Sequence, residues 1–116
     1  MPTERTPKTL EDIRDAASFV LAVTEDKKLE DYAANRLLRQ AIERNFEIIG
    51  EAVGRLARDD PDTASRLSEH RRIVAFRNVL IHGYDLVDDD LVWDTVKTKL
   101  PILLSDVEGS YGAGSI

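Results

Sequence analysis

One short segment of the chain combines three side chains that can act on a phosphate ester. Arg77 is followed directly by Asn78, and His82 lies four residues after the asparagine. Arginine offers a permanent planar cation that matches a phosphate, and histidine can give or take a proton near neutral pH. These groups interrupt a run of core-type side chains, namely Phe76, Val79, Leu80 and Ile81. The combination predicts phosphoryl-transfer chemistry on RNA without a metal ion.

Each of these residues also has a purely structural interpretation. His82 near a helix C-terminus can interact with unpaired carbonyl groups and with the helix dipole. Arg77 can pair with a carboxylate such as Glu51 or Asp85, and Tyr84 can supply the apolar contact of a helix cap. Such structural roles are the more frequent ones for these residue types. They do not explain why an arginine, an amide, an imidazole and a phenol occur within eight positions.

Helix geometry limits how Arg77 and His82 can share one site. At 100° per residue, two side chains five positions apart diverge by about 140° on an ideal helix. Either the helix unwinds at Gly83, or a second copy of the chain completes the site. Asn78 projects within about 40° of His82, so its amide can orient either of the other two groups.

Composition and charge narrow the class of protein. A chain of 116 residues suffices for one domain with a core. The net charge of −6 argues against a protein that coats nucleic acid. Residues 36–77 nevertheless hold nine arginines against seven acidic residues, which suits an enzyme that touches a short stretch of RNA. The absence of cysteine fits a reducing cytoplasm, and neither a membrane-spanning run nor a signal-like N-terminus is found.

Helical periodicity dominates the sequence and predicts an all-α fold. The first helix is expected to begin at Pro7, with Thr6 as its N-cap, and to end in a frayed turn at Thr24. Further helices are predicted over residues 29–58, with a break and a new cap near Asn35, over 68–83, and from 88 onward. The prediction is an up-and-down bundle of four or five helices within residues 1–108, followed by a disordered tail over 109–116.

Several residues inside the predicted helices indicate how those helices pack and end. The longest one has an apolar stripe of the coiled-coil type, formed by Leu38, Ile42, Phe46, Ile49, Val53 and Leu56. Gly50 and Gly54 each cost this helix roughly 1 kcal/mol relative to alanine, so we expect another helix to approach closely there. Pro101 should kink the last helix after Lys99. The aspartates at 88–90 are expected to cap that helix rather than to bind a divalent ion.

The segment from Arg77 to Tyr84 resembles the signature of the HEPN superfamily, and specifically that of its small HepT-like toxins. That signature is an arginine, a polar residue and, a few residues later, a histidine; the toxin branch adds a tyrosine two positions on, which Tyr84 matches. Three more segments resemble the same branch, and the likeness extends over residues 10–107: Arg44–Ala52, Val92–Asp94 and Leu100–Leu103. Only Ala64–Ser68 departs from the family pattern, which often has an Ile-Pro-Trp-like turn there.

This resemblance implies a helical bundle that forms a homodimer and brings two Arg77–His82 pairs into one cleft. It implies a metal-independent endoribonuclease that acts as the toxin of a type VII-like toxin–antitoxin pair. In that role His82 is the general acid or base, Arg77 stabilises the phosphate charge, and Asn78 positions His82 or the phosphate. The implied partner is a minimal nucleotidyltransferase, an antitoxin that silences the toxin by attaching AMP to Tyr84. No cofactor, metal or membrane is expected.

Two other interpretations of the sequence stay open. One is a non-catalytic subunit that binds nucleotide or the transferase and presents substrate to it. The other is a structural dimerisation module in which Arg77 and His82 only form pairs and caps. A neighbouring gene for a small nucleotidyltransferase would favour both partner roles over the structural one. Toxicity that is lost when His82 is changed would separate a nuclease from a passive subunit.

Overall fold

Helices account for nearly all of the computed structural model, which describes residues 4–82 and 88–114, with side chains through Ser110. Within these residues there is no strand, which confirms the all-α prediction. A π-helical turn, Thr95–Lys99, joins the last two helices into one continuous segment. The helices are α1 (Thr6–Thr24), α2 (Leu29–Ala34), α3 (Arg36–Asp59), α4 (Pro61–Ser65), α5 (His70–His82), α6 (Asp89–Asp94) and α7 (Leu100–Gly114).

The core lies between α1, α3 and α7, and α5 covers another side of α3. The predicted stripe of α3 faces this core, with its first member half-buried and the other five buried. Apolar residues spaced three and four apart in the other long helices meet it, namely Leu10, Ile13, Ala17 and Val20 of α1 and Leu100, Leu103 and Val107 of α7. The ring of Phe46 meets that of Phe76 of α5 edge-on, with centroids 5.0 Å apart. No helix in the described part of the chain is long and apolar enough to cross a membrane.

The start of α1 differs from the prediction, because Thr6 is not its N-cap. That position belongs to Arg5, whose side chain makes no capping hydrogen bond. The Thr6 hydroxyl instead donates to the carboxylate of Asp60, at 2.9 Å. Asp60 is fully buried between α3 and α4, and it also accepts from the hydroxyl of Thr63 at 2.7 Å and from its backbone N–H at 3.1 Å. A buried carboxylate is costly unless it accepts hydrogen bonds, whereas the amides at a solvated helix start can bond to water.

The end of α1 also differs from the prediction, because Thr24 is buried and held in place rather than frayed. Its hydroxyl donates to the carbonyl of Val20, at 2.7 Å. Its own carbonyl accepts from the ammonium group of Lys97, at 3.0 Å, and that ammonium lies 4.9 Å from the ring centroid of Trp93. The partner is 73 positions away in the sequence, so local patterning could not reveal it.

The break between α2 and α3 confirms the prediction at Asn35. Its backbone is extended, and its side-chain oxygen accepts from the N–H of Leu38 at 3.1 Å. This bond satisfies one of the unpaired amides at the start of α3.

A π-helical turn that ends at Lys99 precedes Pro101 in the last helical segment, and the kink after Lys99 stays a prediction. Proline lacks the N–H that would bond to the preceding turn, and a widened turn accommodates this loss. The segment then continues past Gly109, where we expected a disordered tail to start, and reaches Gly114. Ser110 is still buried, so packing extends beyond the glycine. Residues 115 and 116 lie outside the described residues.

Candidate active site

Helix α5 carries three of the four predicted site residues: Arg77, Asn78 and His82. The helix remains α-helical through His82, so it does not unwind between the arginine and the histidine. Their side chains therefore leave the helix about 140° apart. Gly83 and Tyr84 lie outside the described residues, and with them the predicted C-cap and modification site.

The packing of α5 explains which of its residues reach solvent. Its buried face consists of Ile73, Phe76 and Leu80. At its start, the Nδ1–H of His70 donates to the carbonyl of Leu67, at 2.7 Å, which is a structural role. Asn78 and His82 lie on the exposed side of the helix.

Arg77 passes directly over Gly50 of α3. A β-carbon placed at Gly50 would overlap Cβ of Arg77 and lie 2.5 Å from its Cγ. The close approach predicted for this glycine is therefore confirmed. For Gly54 no such approach occurs among the described residues, where the nearest atom to an added β-carbon is Nη1 of Arg58 on the same helix, 3.7 Å away.

The guanidinium of Arg77 is incompletely partnered. Its Nη1 donates to the side-chain oxygen of Asn78, at 3.2 Å. Its Nε is buried and has no hydrogen-bond partner within the described chain. Glu51 is exposed, and no ion pair joins it to Arg77, so this structural alternative is not observed. The other alternative partner, Asp85, lies outside the described residues. A buried donor without a partner costs about 1–3 kcal/mol, and the Nε of Arg55 is in the same state.

His82 is exposed at the end of α5, with its ring free to meet another molecule. As a basic residue in the last turn it also suits the negative end of the helix dipole, so the structural interpretation remains compatible with its position. Asn78 precedes it by four residues, and side chains at this spacing are neighbours on a helix surface. Asn78 thus contacts Arg77 on one side and borders His82 on the other.

Apolar side chains are exposed next to these polar groups. Val79 and Ile81 are each 37% exposed, and Leu91 of α6 is 44% exposed. Val79 and Leu91 also line a groove of about 350 Å³ between α5 and the last helical segment. Neighbouring apolar groups of this kind often mark a surface that another molecule covers.

Of the three aspartates at the start of α6, Asp88 acts as predicted, as the N-cap, and Asp89 and Asp90 lie in the first turn, where the helix dipole favours carboxylates. The Asp88 carboxylate accepts from the N–H of Asp90, at 2.8 Å. Asp89 lies in the first turn, and its carboxylate is 3.0 Å from Nη1 of Arg39. Across residues 4–82 and 88–114, no three histidine or acidic side chains come together as metal ligands would.

A cluster around Arg39 was missed by the sequence analysis. Its guanidinium lies 4.8 Å from the ring centroid of Tyr32 while it binds Asp89. The hydroxyl of Tyr32 donates to Glu43 at 2.9 Å, and its ring centroid lies 5.9 Å from that of Trp93. Burial, together with Glu43, raises the pKa of the Tyr32 hydroxyl above its ordinary value. The cluster attaches the start of α6 to α2 and α3. Only the four-residue spacing of Arg39 and Glu43 hinted at it.

Several known proteins are similar to this chain in sequence. Residues 10–108 match the model of a family described as ribonuclease HepT-like. A Methanocaldococcus jannaschii protein with a provisional RNase name is 33% identical, over 85% of this chain and 90% of its own. A Thermococcus cleftensis protein named a probable ribonuclease HepT is also 33% identical, over 85% of this chain and 89% of its own. A Caldanaerobacter subterraneus protein with a provisional RNase name is 30% identical over 90% and 93%. No solved structure matches significantly.

Proposed function

The chain belongs to the ribonuclease HepT-like family, and from this premise we propose that it is a metal-independent endoribonuclease, the toxin of a toxin–antitoxin pair. The proposal rests mainly on the packing and hydrogen bonding of Arg77. Its side chain is held between Gly50 and Asn78, its Nε lacks a partner, and no described carboxylate neutralises it. The relatives named for RNase activity cover most of this chain and of their own length.

In the proposed reaction, the 2′-hydroxyl of one RNA nucleotide attacks the adjacent phosphorus. His82 accepts the hydroxyl proton as the new O–P bond forms, and a proton returns to the 5′-oxygen as its bond to phosphorus breaks. Arg77 stabilises the charge on the pentacoordinate phosphate, and Asn78 orients the guanidinium. The products are a 2′,3′-cyclic phosphate and a 5′-hydroxyl end, so no atom from water is consumed.

We propose that the site is completed by a second copy of the chain. Because α5 stays helical through His82, the side chains of Arg77 and His82 leave the helix about 140° apart, so each can face a phosphate held between two copies. A two-fold axis near α5 would place the histidine of one copy opposite the arginine of the other. The exposed Val79 and Ile81 beside the site supply apolar surface for such a contact.

Replacing Arg77 or His82 by alanine tests the nuclease function. We expect each variant to lose about 10²–10⁴-fold in cleavage rate, the range typical of general acid–base groups. Folding should be retained, because His82 is exposed and Arg77 has no ion pair to lose within the described chain. Cleavage of an end-labelled RNA is followed on gels with EDTA present, and folding by circular dichroism.

Arg44→Ala and His70→Ala are the matched controls. Arg44 is an exposed arginine that pairs only with the nearby Glu47, at 3.4 Å, and His70 is the other histidine of the chain. Both controls should cleave RNA at a rate close to that of the unchanged protein. If all variants are equally active, Arg77 and His82 are structural. A protein that binds its transferase but never cleaves RNA would instead be the non-catalytic subunit considered above.

We further propose that a minimal nucleotidyltransferase silences the nuclease at Tyr84. The Tyr84 oxygen would attack the α-phosphate of ATP, pyrophosphate would leave, and the phenolic proton would be lost. The attached AMP adds a negative phosphate two residues from His82, where it would compete with RNA for the guanidinium of Arg77.

Tyr84→Phe should therefore remain an active nuclease that the transferase and ATP cannot silence. The measurement is intact-mass spectrometry after incubation with both, followed by an RNA cleavage assay. The unchanged protein should gain the mass of one or more AMP units, and its RNA cleavage activity should fall as that mass appears. A protein that carries AMP on Tyr84 and still cleaves RNA at the full rate would contradict this control mechanism.

A further inference from the structure

We propose that Gly50 is a positioning residue for Arg77: the missing side chain at this point of α3 determines where the Arg77 guanidinium stands. The proposal rests on the proposed ribonuclease function, because it concerns the same arginine. It means that cleavage depends on Gly50 of α3 in addition to the residues of α5.

The first argument is which atoms of Arg77 approach Gly50. An added β-carbon would meet Cβ, Cγ and Cδ of the arginine in turn, with Cδ at 3.4 Å. Cβ is bonded directly to the backbone of α5 and cannot rotate away, unlike the far end of a flexible side chain. Any side chain at position 50 would therefore have to move α5 itself, and the whole Arg77 side chain with it.

The second argument is how little else holds Arg77. The single hydrogen bond of its guanidinium within the described residues is the one to Asn78, at 3.2 Å. The buried Nε has no acceptor there, and no described carboxylate forms an ion pair with the group. Contact with the bare backbone at Gly50 is thus the main restraint on the stem. It leaves the charge available for a phosphate.

The third argument is the contrast with Gly54, one helical turn away on the same side of α3. A β-carbon there would meet nothing closer than Nη1 of Arg58 at 3.7 Å, an ordinary van der Waals distance. Both glycines weaken the helix by the same physical mechanism. Only Gly50 has a neighbour that requires the space, so Gly54 serves as a matched control.

The experiment combines Gly50→Ala and Gly54→Ala with Arg77→Gly, which also removes the β-carbon of position 77, in the full chain. Cleavage rate, affinity for a 2′-O-methyl RNA oligonucleotide that cannot be cleaved, and melting temperature are measured for each variant. We expect Gly50→Ala to lower the cleavage rate by about 10²-fold, as a displacement near 1 Å can. Gly54→Ala should change it by no more than about twofold, because its added methyl group makes only ordinary contacts. In the Arg77→Gly background, where the overlapping β-carbon is absent, Gly50→Ala should change neither the residual rate nor the affinity.

Other outcomes overturn the proposal. If Gly50→Ala cleaves RNA at the full rate, position 50 does not act through the arginine. The same follows if Gly50→Ala lowers the cleavage rate and the oligonucleotide affinity by equal factors in the presence and in the absence of Arg77. If the unchanged protein binds the oligonucleotide without cleaving RNA, the nuclease function fails, but the affinities still decide whether positions 50 and 77 are coupled. If it does neither, both proposals fall.

A second measurement applies if Gly50→Ala does not fold. The Nε–H of Arg77, assigned in nitrogen NMR spectra by its loss in Arg77→Lys, should exchange slowly with solvent in the unchanged protein. The exposed Arg36 provides the comparison. An Arg77 Nε–H that exchanges as fast as that of Arg36 would mean that the side chain is not held against Gly50.

Discussion

At the scale of single residues, Asp60 and Arg77 differ in how fully their buried polar atoms are hydrogen-bonded. Asp60 is fully buried, and its carboxylate accepts hydrogen bonds from two hydroxyls and one backbone N–H. Arg77 is half-buried, and its Nε has no partner in the part of the chain that the structure describes. A satisfied buried charge strengthens a fold, whereas an unsatisfied one weakens it. Asp60 therefore has a structural role, and the structure offers no such role for Arg77.

The Asp60 network makes stability depend on pH in the acid range. Burial raises the pKa of this carboxyl, but the hydrogen bonds from Thr63 and Thr6 outweigh it and lower the pKa below the ordinary 3.8. The folded state thus favours the ionised form. Its contribution is complete above pH 3.8 and is lost as the pH falls through the lower value of the folded protein.

Asp60→Asn should lower the free energy of unfolding at pH 7 by about 1–3 kcal/mol, because the charged acceptor of three donors is removed. The difference from the unchanged protein should shrink as the pH is lowered below 3.8. Urea denaturation at a series of pH values measures both effects. A difference that stays constant down to the lowest pH would show that the charge of Asp60 does not contribute.

At the scale of helices, the sequence predicted what local spacing determines. The stripe of α3 is buried as its three- and four-residue spacing required, and Asn35 caps α3 as its residue type favoured. Thr6 and Thr24 were misjudged because their partners, Asp60 and Lys97, lie far along the chain. The same limit applies to the candidate site. The motif made Arg77 a candidate, but its close contact with Gly50 could be described only from the packing of α5 on α3.

The cap at Asn35 gives a prediction for the start of α3. Asn35→Ala should lower the free energy of unfolding by about 1 kcal/mol, the usual value for loss of such a cap. Asn35→Asp is the matched control, since its carboxylate can still accept from the N–H of Leu38. Urea denaturation of the three proteins provides the measurement. Equal losses in both variants would show that the amide has another role than capping.

At the scale of the whole molecule, mixing two inactive variants tests the proposed shared site. Arg77→Ala keeps the histidine and His82→Ala keeps the arginine. If each site takes the two groups from different copies, mixed dimers contain one intact site and regain cleavage. Subunits are exchanged under mild denaturation, dimers are verified by light scattering, and RNA cleavage is measured. Verified mixed dimers that stay inactive would show that each chain carries its own complete site.

The pairing of the first helix with the last has a consequence for synthesis. Because α1 packs against both α3 and α7, part of its apolar face stays uncovered until α7 has emerged from the ribosome. Lys97, which binds the end of α1, is also made late. Gly50 and Arg77 are translated earlier, on the helices α3 and α5, which pack against each other. The packing around α1 is therefore completed only after Gly50 and Arg77 have been translated.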